Sequence, residues 1–438
     1  MARAIPPLKT AIRPRPAGSL HKLAAITFVN RDQMKYIRRL IHAALGLVAV
    51  ALLCSAALYL YHIPVPDLDN TAPADQGIGS ADHAELIGAA RDSLSLARTA
   101  LVAPSVSVAV AKDGEVIWSE AIGYADIENR RRATVETVYP IGSVSKPITA
   151  ALALKLAEEG MVDLDTDIRT YVTEFPEKRQ PITLRQLLSH QAGIRHYGFA
   201  FAPPTFSEAA FDIEFSDTKQ ALEIFDDDPL LFAPDTDFSY STFGYTLASA
   251  ALEEATGEEF LKLLDTRLFD HLGMESSGPN RPQILGSKLA EGYVGLFFRK
   301  RAMPAPQTNE SYKWAGGGLA STPTDLAIFG AGLLSDEILT RQAREEMFAR
   351  RQTSDGAFNE QHYALGWRIG EFETEGSSIR VINHGGATAG ATAILLLFPD
   401  HDLVIAMSAN TVRSGGSNQI TSQAAKIASI FLRGKNAQ

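Results

Sequence analysis

Ser143 and Lys146 stand three residues apart in the tetrapeptide Ser143-Val144-Ser145-Lys146. On a helix that spacing puts both side chains on one face, so a hydroxyl nucleophile and an amine able to take its proton sit together. The chemistry to expect is attack on a carbonyl carbon. Ser-x-x-Lys also occurs at Ser19–Lys22 and Ser216–Lys219, so only context can choose among the three. Pro140-Ile141-Gly142 breaks the pattern before Ser143, and Ile148, Ala151, Leu152, Leu154 and Leu156 continue a helical apolar face to a stop at Gly160. Ser143 is therefore expected at a helix N-terminus, with Pro147 tolerated in the first turn.

The elements that must hold this helix are readable in outline. A helix is predicted over 84–101, followed by alternating Val106, Val108 and Val110, a Lys112-Asp113-Gly114 turn and a second strand over 116–122. The middle of the chain is mostly helical in pattern. Thr322-Pro323-Thr324-Asp325 is a helix start, with Thr322 as cap. Apolar alternation over 391–398, a Pro399–Asp402 turn, a strand over 403–407 and a helix from about Ser417 to Arg433 close the chain. Strands at both ends with helices between predict an α+β architecture in which both termini share one sheet.

Charge divides the sequence. Residues 1–39 carry +8 against a chain total of −10, which leaves −18 on the remainder and argues against nucleic acid as a partner of the acidic part. Twenty-two uncharged residues, Leu40–Tyr61, follow the basic segment and would reach about 33 Å as a helix, enough to cross a bilayer. Two readings stay open: an uncleaved anchor over 40–62, or a long signal cut near Ser55-Ala56-Ala57. Either places residues 63–438 outside the cytoplasm, periplasmic in a bacterium. Residues 63–83, rich in Pro, Asp, Gly and Ala, read as a tether, and a domain is expected over 84–438. Cys54 is the single cysteine, so no intrachain disulfide is possible.

Two distant elements would complete one site. Ser143-x-x-Lys146, Tyr240-Ser241-Thr242 and His384-Gly385-Gly386 resemble, in that order, the Ser-x-x-Lys, Tyr-x-Asn and Lys-Thr-Gly elements of the class C β-lactamase and penicillin-binding-protein superfamily. Leu187–His190, Gly317–Thr322 and Leu365-Gly366-Trp367 look like further landmarks, and 170–198 with 240–247 resembles the mitochondrial serine β-lactamase-like branch. The resemblance implies a β-lactamase/transpeptidase-like fold: an antiparallel sheet flanked by N- and C-terminal helices, an all-helical subdomain and, here, a preceding transmembrane helix. It implies Ser143, Lys146 and Tyr240 as catalytic residues, with lysine and tyrosine both open as the base. It also implies an oxyanion hole from the Ser143 and Ala387 backbone amides, and substrate contacts around His384, Gly386 and Thr242. Thr242 stands where β-lactamases have Asn, and His384-Gly385 replaces Lys-Thr, which weakens the case for antibiotic hydrolysis.

The function expected is a membrane-tethered serine hydrolase of peptidase or esterase type, acting on a small-molecule or peptide substrate. A true β-lactamase, a D-Ala carboxypeptidase and a catalytically weak scaffold are the alternatives, and homo-oligomers are possible. His384, with an ordinary histidine pKa, is expected to attract anionic substrates only at lower pH. No metal or cofactor is expected: the ten histidines lack ligand spacing, and Gly316-Gly317-Gly318 is not followed by Lys-Ser/Thr. The aromatic segment 197–215 is expected as a packed loop, with a cleft or membrane contact as its alternative.

Overall fold

Side chains that alternate between the two faces of each strand set the architecture. The computed structural model describes residues 31–433, apart from 62, 69–71, 199–207, 209–211, 296–299, 375 and 414. Ser19–Lys22 and the aromatics Phe199, Phe201, Phe206 and Phe211 lie outside the described residues. Residues up to 61 form one unit and those from 62 onward another. In the first, helix α1 (Arg31–Tyr61) contains Met34–Ala57, a stretch long and apolar enough by length and composition to cross a membrane. Cys54 is exposed within it.

The second unit is built on one antiparallel sheet. Its N-terminal strands are β1 (Ala74–Gly79), β2 (Ser105–Lys112) and β3 (Glu115–Asp126). The C-terminal ones are β4 (Arg368–Thr374), β5 (Ser377–Ala387), β6 (Thr392–Phe398) and β7 (Leu403–Ala409). The spatial order is β4-β5-β6-β7-β2-β3-β1, so β7 pairs with β2, with Ala406 opposite Ala109. Both chain ends thus meet in the middle of the sheet, as the terminal strands predicted.

Alternate residues serve opposite layers. Val106, Val108, Val110, Ile394, Leu396 and Phe398 pack against helices α2 (Ala84–Leu101) and α7 (Asn418–Arg433). Ala109, Ala111, Ala393, Leu395 and Leu397 face the larger helical layer, which includes α3 (Ser145–Glu158), α4 (Leu184–Leu188), α5 (Thr242–Thr256) and α6 (Pro323–Leu334). With both faces covered, 392–398 is buried at every position rather than at alternate ones. Thr322 caps α6, accepting from the Asp325 amide at 3.1 Å, and Asp113 and Gly114 take the positive φ that the β2–β3 turn needs.

Two expectations change. The described residues of the tether, 63–68 and 72–83, are part of the fold: β1 pairs with β3, Ile63–Pro64 pairs with Ala302–Arg301, and the buried Arg98 guanidinium donates to the carbonyls of Pro66 and Asp67 at 2.7 Å each. A Pro/Gly/Asp composition signals turns, but backbone donors and acceptors are indifferent to composition. The helix after Ser143 is also not amphipathic. Ser145–Leu154 is buried on all sides, because α3 is enclosed by the 314–318 turn, α5 and the helices Phe260–Leu264 and Arg341–Met347.

Candidate active site

The Ser-x-x-Lys turn is assembled by backbone approach. Gly142–Val144 forms a 3-10 turn leading into α3, and Ser143 is half-buried. Gly142 has φ 51°, and a Cβ there would lie 2.7 Å from the Ala387 amide nitrogen. A Cβ on Gly386 would lie 1.9 Å from the Ile141 carbonyl oxygen and 2.9 Å from the Ser143 nitrogen. Only glycine at both positions lets the end of β5 lie against the 141–143 turn. The backbones of Ser143 and Ala387 are thereby brought side by side, and Ala387 itself is exposed.

Lys146 is fully buried beneath this turn. Its Nζ lies 3.4 Å from Ser143 Oγ and 3.1 Å from Thr242 Oγ1, and it donates to the Gly316 carbonyl. The rings of Tyr240 and Tyr245 lie 4.7 and 5.3 Å from it. Burial, then the nearby Arg368 and Lys313 cations, hold the amine well below the usual lysine range. In the neutral amine two N–H bonds serve Gly316 and Thr242, and the lone pair is left for the Ser143 hydroxyl.

Tyr240 sits in the loop entering α5, within hydrogen-bonding reach of Ser143 and of Arg368. Burial pushes its phenol up to about 12, against the opposing effect of Arg368. The loop is gripped by two histidines. The His190 carbonyl accepts from the Ser239 amide at 3.0 Å and its Nδ1 from the Ser241 amide at 3.1 Å, while His196 Nδ1 accepts from the Thr242 amide at 3.0 Å. Accepting an amide hydrogen requires an unprotonated nitrogen, and burial holds His196 down to about 3 and His190 well below its ordinary value. Their grip on Tyr240 was not legible in the sequence, since it links residues about fifty positions apart.

The structure turns His384 and Thr242, expected as substrate contacts, inward. His384 is fully buried, and its Nε2 lies 2.9 Å from Tyr363 Oη and 3.2 Å from Arg368 Nη1. A guanidinium can only donate, so Nε2 accepts and Nδ1 donates to the Gly385 carbonyl at 2.9 Å. The ring is neutral, its pKa held well below 6.5 first by burial and then by Arg368, so it cannot titrate against a substrate anion. Thr242 is buried too, with its hydroxyl on Lys146 and its amide on His196. Arg368, half-buried on β4, is the charged residue that motif reading missed. It directly follows the Leu365-Gly366-Trp367 landmark, which was its only sequence signal.

Beyond Ala387 a cavity of about 830 Å³ runs past Thr388, Ala389, Trp314 and Pro140. Among the described residues no His, Cys, Asp or Glu group is arranged to hold a metal.

The Beta-lactamase family matches residues 95–429. The Mus musculus serine beta-lactamase-like protein LACTB, mitochondrial, is 30% identical over 427 residues, covering 77% of this chain and 75% of its own length. Among solved structures, the octameric penicillin-binding protein homologue from Pyrococcus abyssi is similar with a TM-score of 0.66 at 23% identity, covering 79% of this chain and 77% of that one. A class C beta-lactamase is similar at 0.65 and 20% identity, covering 80% and 98%.

Proposed function

Because the chain belongs to the Beta-lactamase family, a family of serine hydrolases, we propose that it is a membrane-tethered serine hydrolase of peptidase or esterase type acting through an acyl-enzyme on Ser143. The observation that carries this reading is Lys146, a buried amine with depressed basicity directly below Ser143 Oγ. As the serine oxygen attacks a carbonyl carbon, its proton passes to Lys146 Nζ. The oxygen of the tetrahedral intermediate is stabilised by the Ser143 and Ala387 amides, each worth roughly 2.7–4 kcal/mol in such sites. Tyr240, between Ser143 and Arg368, relays a proton to the leaving group as the bond to it breaks. Water then repeats the sequence on the ester, releasing the acid and restoring Ser143.

The 3.4 Å serine–lysine separation is long, as such bonds are before substrate closes the site. A peptide or ester is favoured over a β-lactam because Thr242 and His384 are both turned inward. The apolar α1 and the basic residues ahead of it support an anchor with the hydrolase outside the cytoplasm. The octameric relative supports testing for homo-oligomers by light scattering.

Fluorophosphonate labelling followed by peptide mass spectrometry tests the chemistry. An adduct on Ser143, absent in Ser143→Ala, is the expected result, and a folded wild type that never gains mass overturns it. A kcat/KM panel should place a short acyl ester or a peptide above a chromogenic cephalosporin, with the reverse order restoring the β-lactamase alternative. Protease added to spheroplasts should digest the domain, whereas protection until the remaining membrane is broken would refute the topology.

A further inference from the structure

Three side chains near Ser143 are cations by type, and two are accounted for. Lys146 is the buried amine itself. Lys313, in the turn ahead of Trp314, is paired with Glu310 at 2.8 Å, and although burial opposes its charge, that carboxylate raises its pKa. Arg368 has no such partner. Among the described residues no carboxylate pairs with its guanidinium, whose Nε and Nη2 bond the neutral Gln361 Oε1 at 3.1 and 2.8 Å and whose Nη1 bonds His384. Its Cζ lies 5.4 Å from the Tyr240 ring centroid and 5.3 Å from that of Tyr363.

We propose that Arg368 is a positioning residue of this site, the uncompensated cation that orients Tyr240 toward Ser143 and disfavours a second positive charge on Lys146. The inference rests on the reading of Ser143 as nucleophile and Lys146 as base. The orienting part follows from the guanidinium's position against the Tyr240 and Tyr363 rings and from the hydrogen bonds to Gln361 and His384 that hold it there. The electrostatic part follows from distance. Lys146 Nζ lies 4.7 Å and Arg368 Cζ 5.4 Å from the same ring centroid, so the two charges can be no more than about 10 Å apart.

The other groups facing Lys146 do not cancel this effect. Thr242 and Tyr245 from α5 and Tyr240 from its loop are uncharged. His384 from β5, and His190 and His196 from the segment after α4, are neutral acceptors. Lys313, although paired with Glu310, acts in the same direction as the arginine. Removing the arginine, the cation without a carboxylate partner, should therefore make Lys146 easier to protonate.

The test is the pH dependence of fluorophosphonate labelling at Ser143 in full-length protein, for wild type, Arg368→Gln and Arg368→Lys. Labelling should rise with pH as Lys146 loses its proton. Arg368→Gln should move the midpoint upward by about one pH unit and slow labelling about tenfold on the acid side, at an effective dielectric near 20. Arg368→Lys should keep the wild-type midpoint, because the charge remains, yet lower the plateau rate, because the planar fork on Tyr240 is lost. A residue that only supported the fold would change melting temperature without moving the midpoint.

An independent measurement separates this proposal from the nucleophile assignment. In [6-13C]lysine-labelled Ser143→Ala protein, the Lys146 signal, identified by its loss in Lys146→Met, should titrate well below the usual lysine range and shift upward with Arg368→Gln. An unchanged Lys146 titration overturns the role of Arg368, whether or not Ser143 labels. An unlabelled wild type with the shift intact overturns the nucleophile instead.

Discussion

Arg98 and Lys146 are both buried cations, at 2% and 0% exposure, yet their surroundings differ in kind. Arg98 is enclosed by acceptors, its guanidinium reaching the carbonyls of Pro66, Asp67 and Pro104. Burial pushes it down to about 10, with Asp67 acting the other way, so it stays charged at neutral pH and ties the start of the domain to α2. Lys146 has one carbonyl, two hydroxyls, aromatic rings and the Arg368 and Lys313 cations about it. The same burial that leaves Arg98 a charged anchor lowers the basicity of Lys146, as the role proposed for it requires. Burial opposes both charges, but the guanidinium is intrinsically the more basic group and has carbonyl dipoles and Asp67 about it, where the amine has two cations.

Exchanging the two behaviours gives the largest expected effect. Lys146→Arg, which cannot lose its proton, and Lys146→Met should each lower Ser143 labelling by about a thousandfold or more. Lys146→Met should also melt no lower than wild type, because the buried amine is a cost to folding that function retains. A Lys146→Met variant that labels at the wild-type rate would break the comparison from the catalytic side.

Arg98→Met should do the opposite. Three buried carbonyls lose their donor, a loss of about 3 kcal/mol in denaturant unfolding, while the labelling rate per folded molecule holds. Loss of activity at unchanged stability would mean that the clamp reaches the site. A smaller effect is expected at His190, whose φ of 62° and acceptor role asparagine can reproduce. His190→Leu should cut kcat roughly tenfold with little change in KM, and His190→Asn should recover most of it.

Acid tests the histidine grip on the Tyr240 loop. His196 is held near 3 in the folded state and titrates near 6.5 when unfolded, so below 6.5 the unfolded chain binds the extra proton. Its contribution to stability is complete above 6.5 and is lost progressively as pH falls toward 3. Melting temperatures measured from pH 7 to 4 should fall less steeply in His196→Asn, and parallel curves would show that the ring does not titrate with folding.

Much of this was open to inspection in the residues. The α2 helix, the β2–β3 hairpin, the Thr322 cap and the closing strand and helix are encoded by local periodicity and turn chemistry, which need no distant partner. Order along the chain also singled out Ser143, Lys146 and Tyr240, and the structure brings all three together. The segment 63–83 misled because its composition is that of a linker while its backbone pairs with β3. His384 misled in a different way. A histidine in place of a lysine suggests a titratable substrate contact, but Tyr363 and Arg368 close over it from elsewhere in the chain.

The sequence by itself determined which atoms are available for chemistry: a serine and a lysine one helical turn apart, a tyrosine ahead of a helix, and glycines where β5 must touch the 141–143 turn. Those properties are local, carried by residue type and spacing. Only the tertiary structure decided the charge states, since whether an amine or an imidazole holds its proton depends on every dipole and cation within a few ångströms. Those neighbours, Arg368 and Lys313 for Lys146 and Tyr363 and Arg368 for His384, come from elements that meet only when the sheet and the helical layer close on each other.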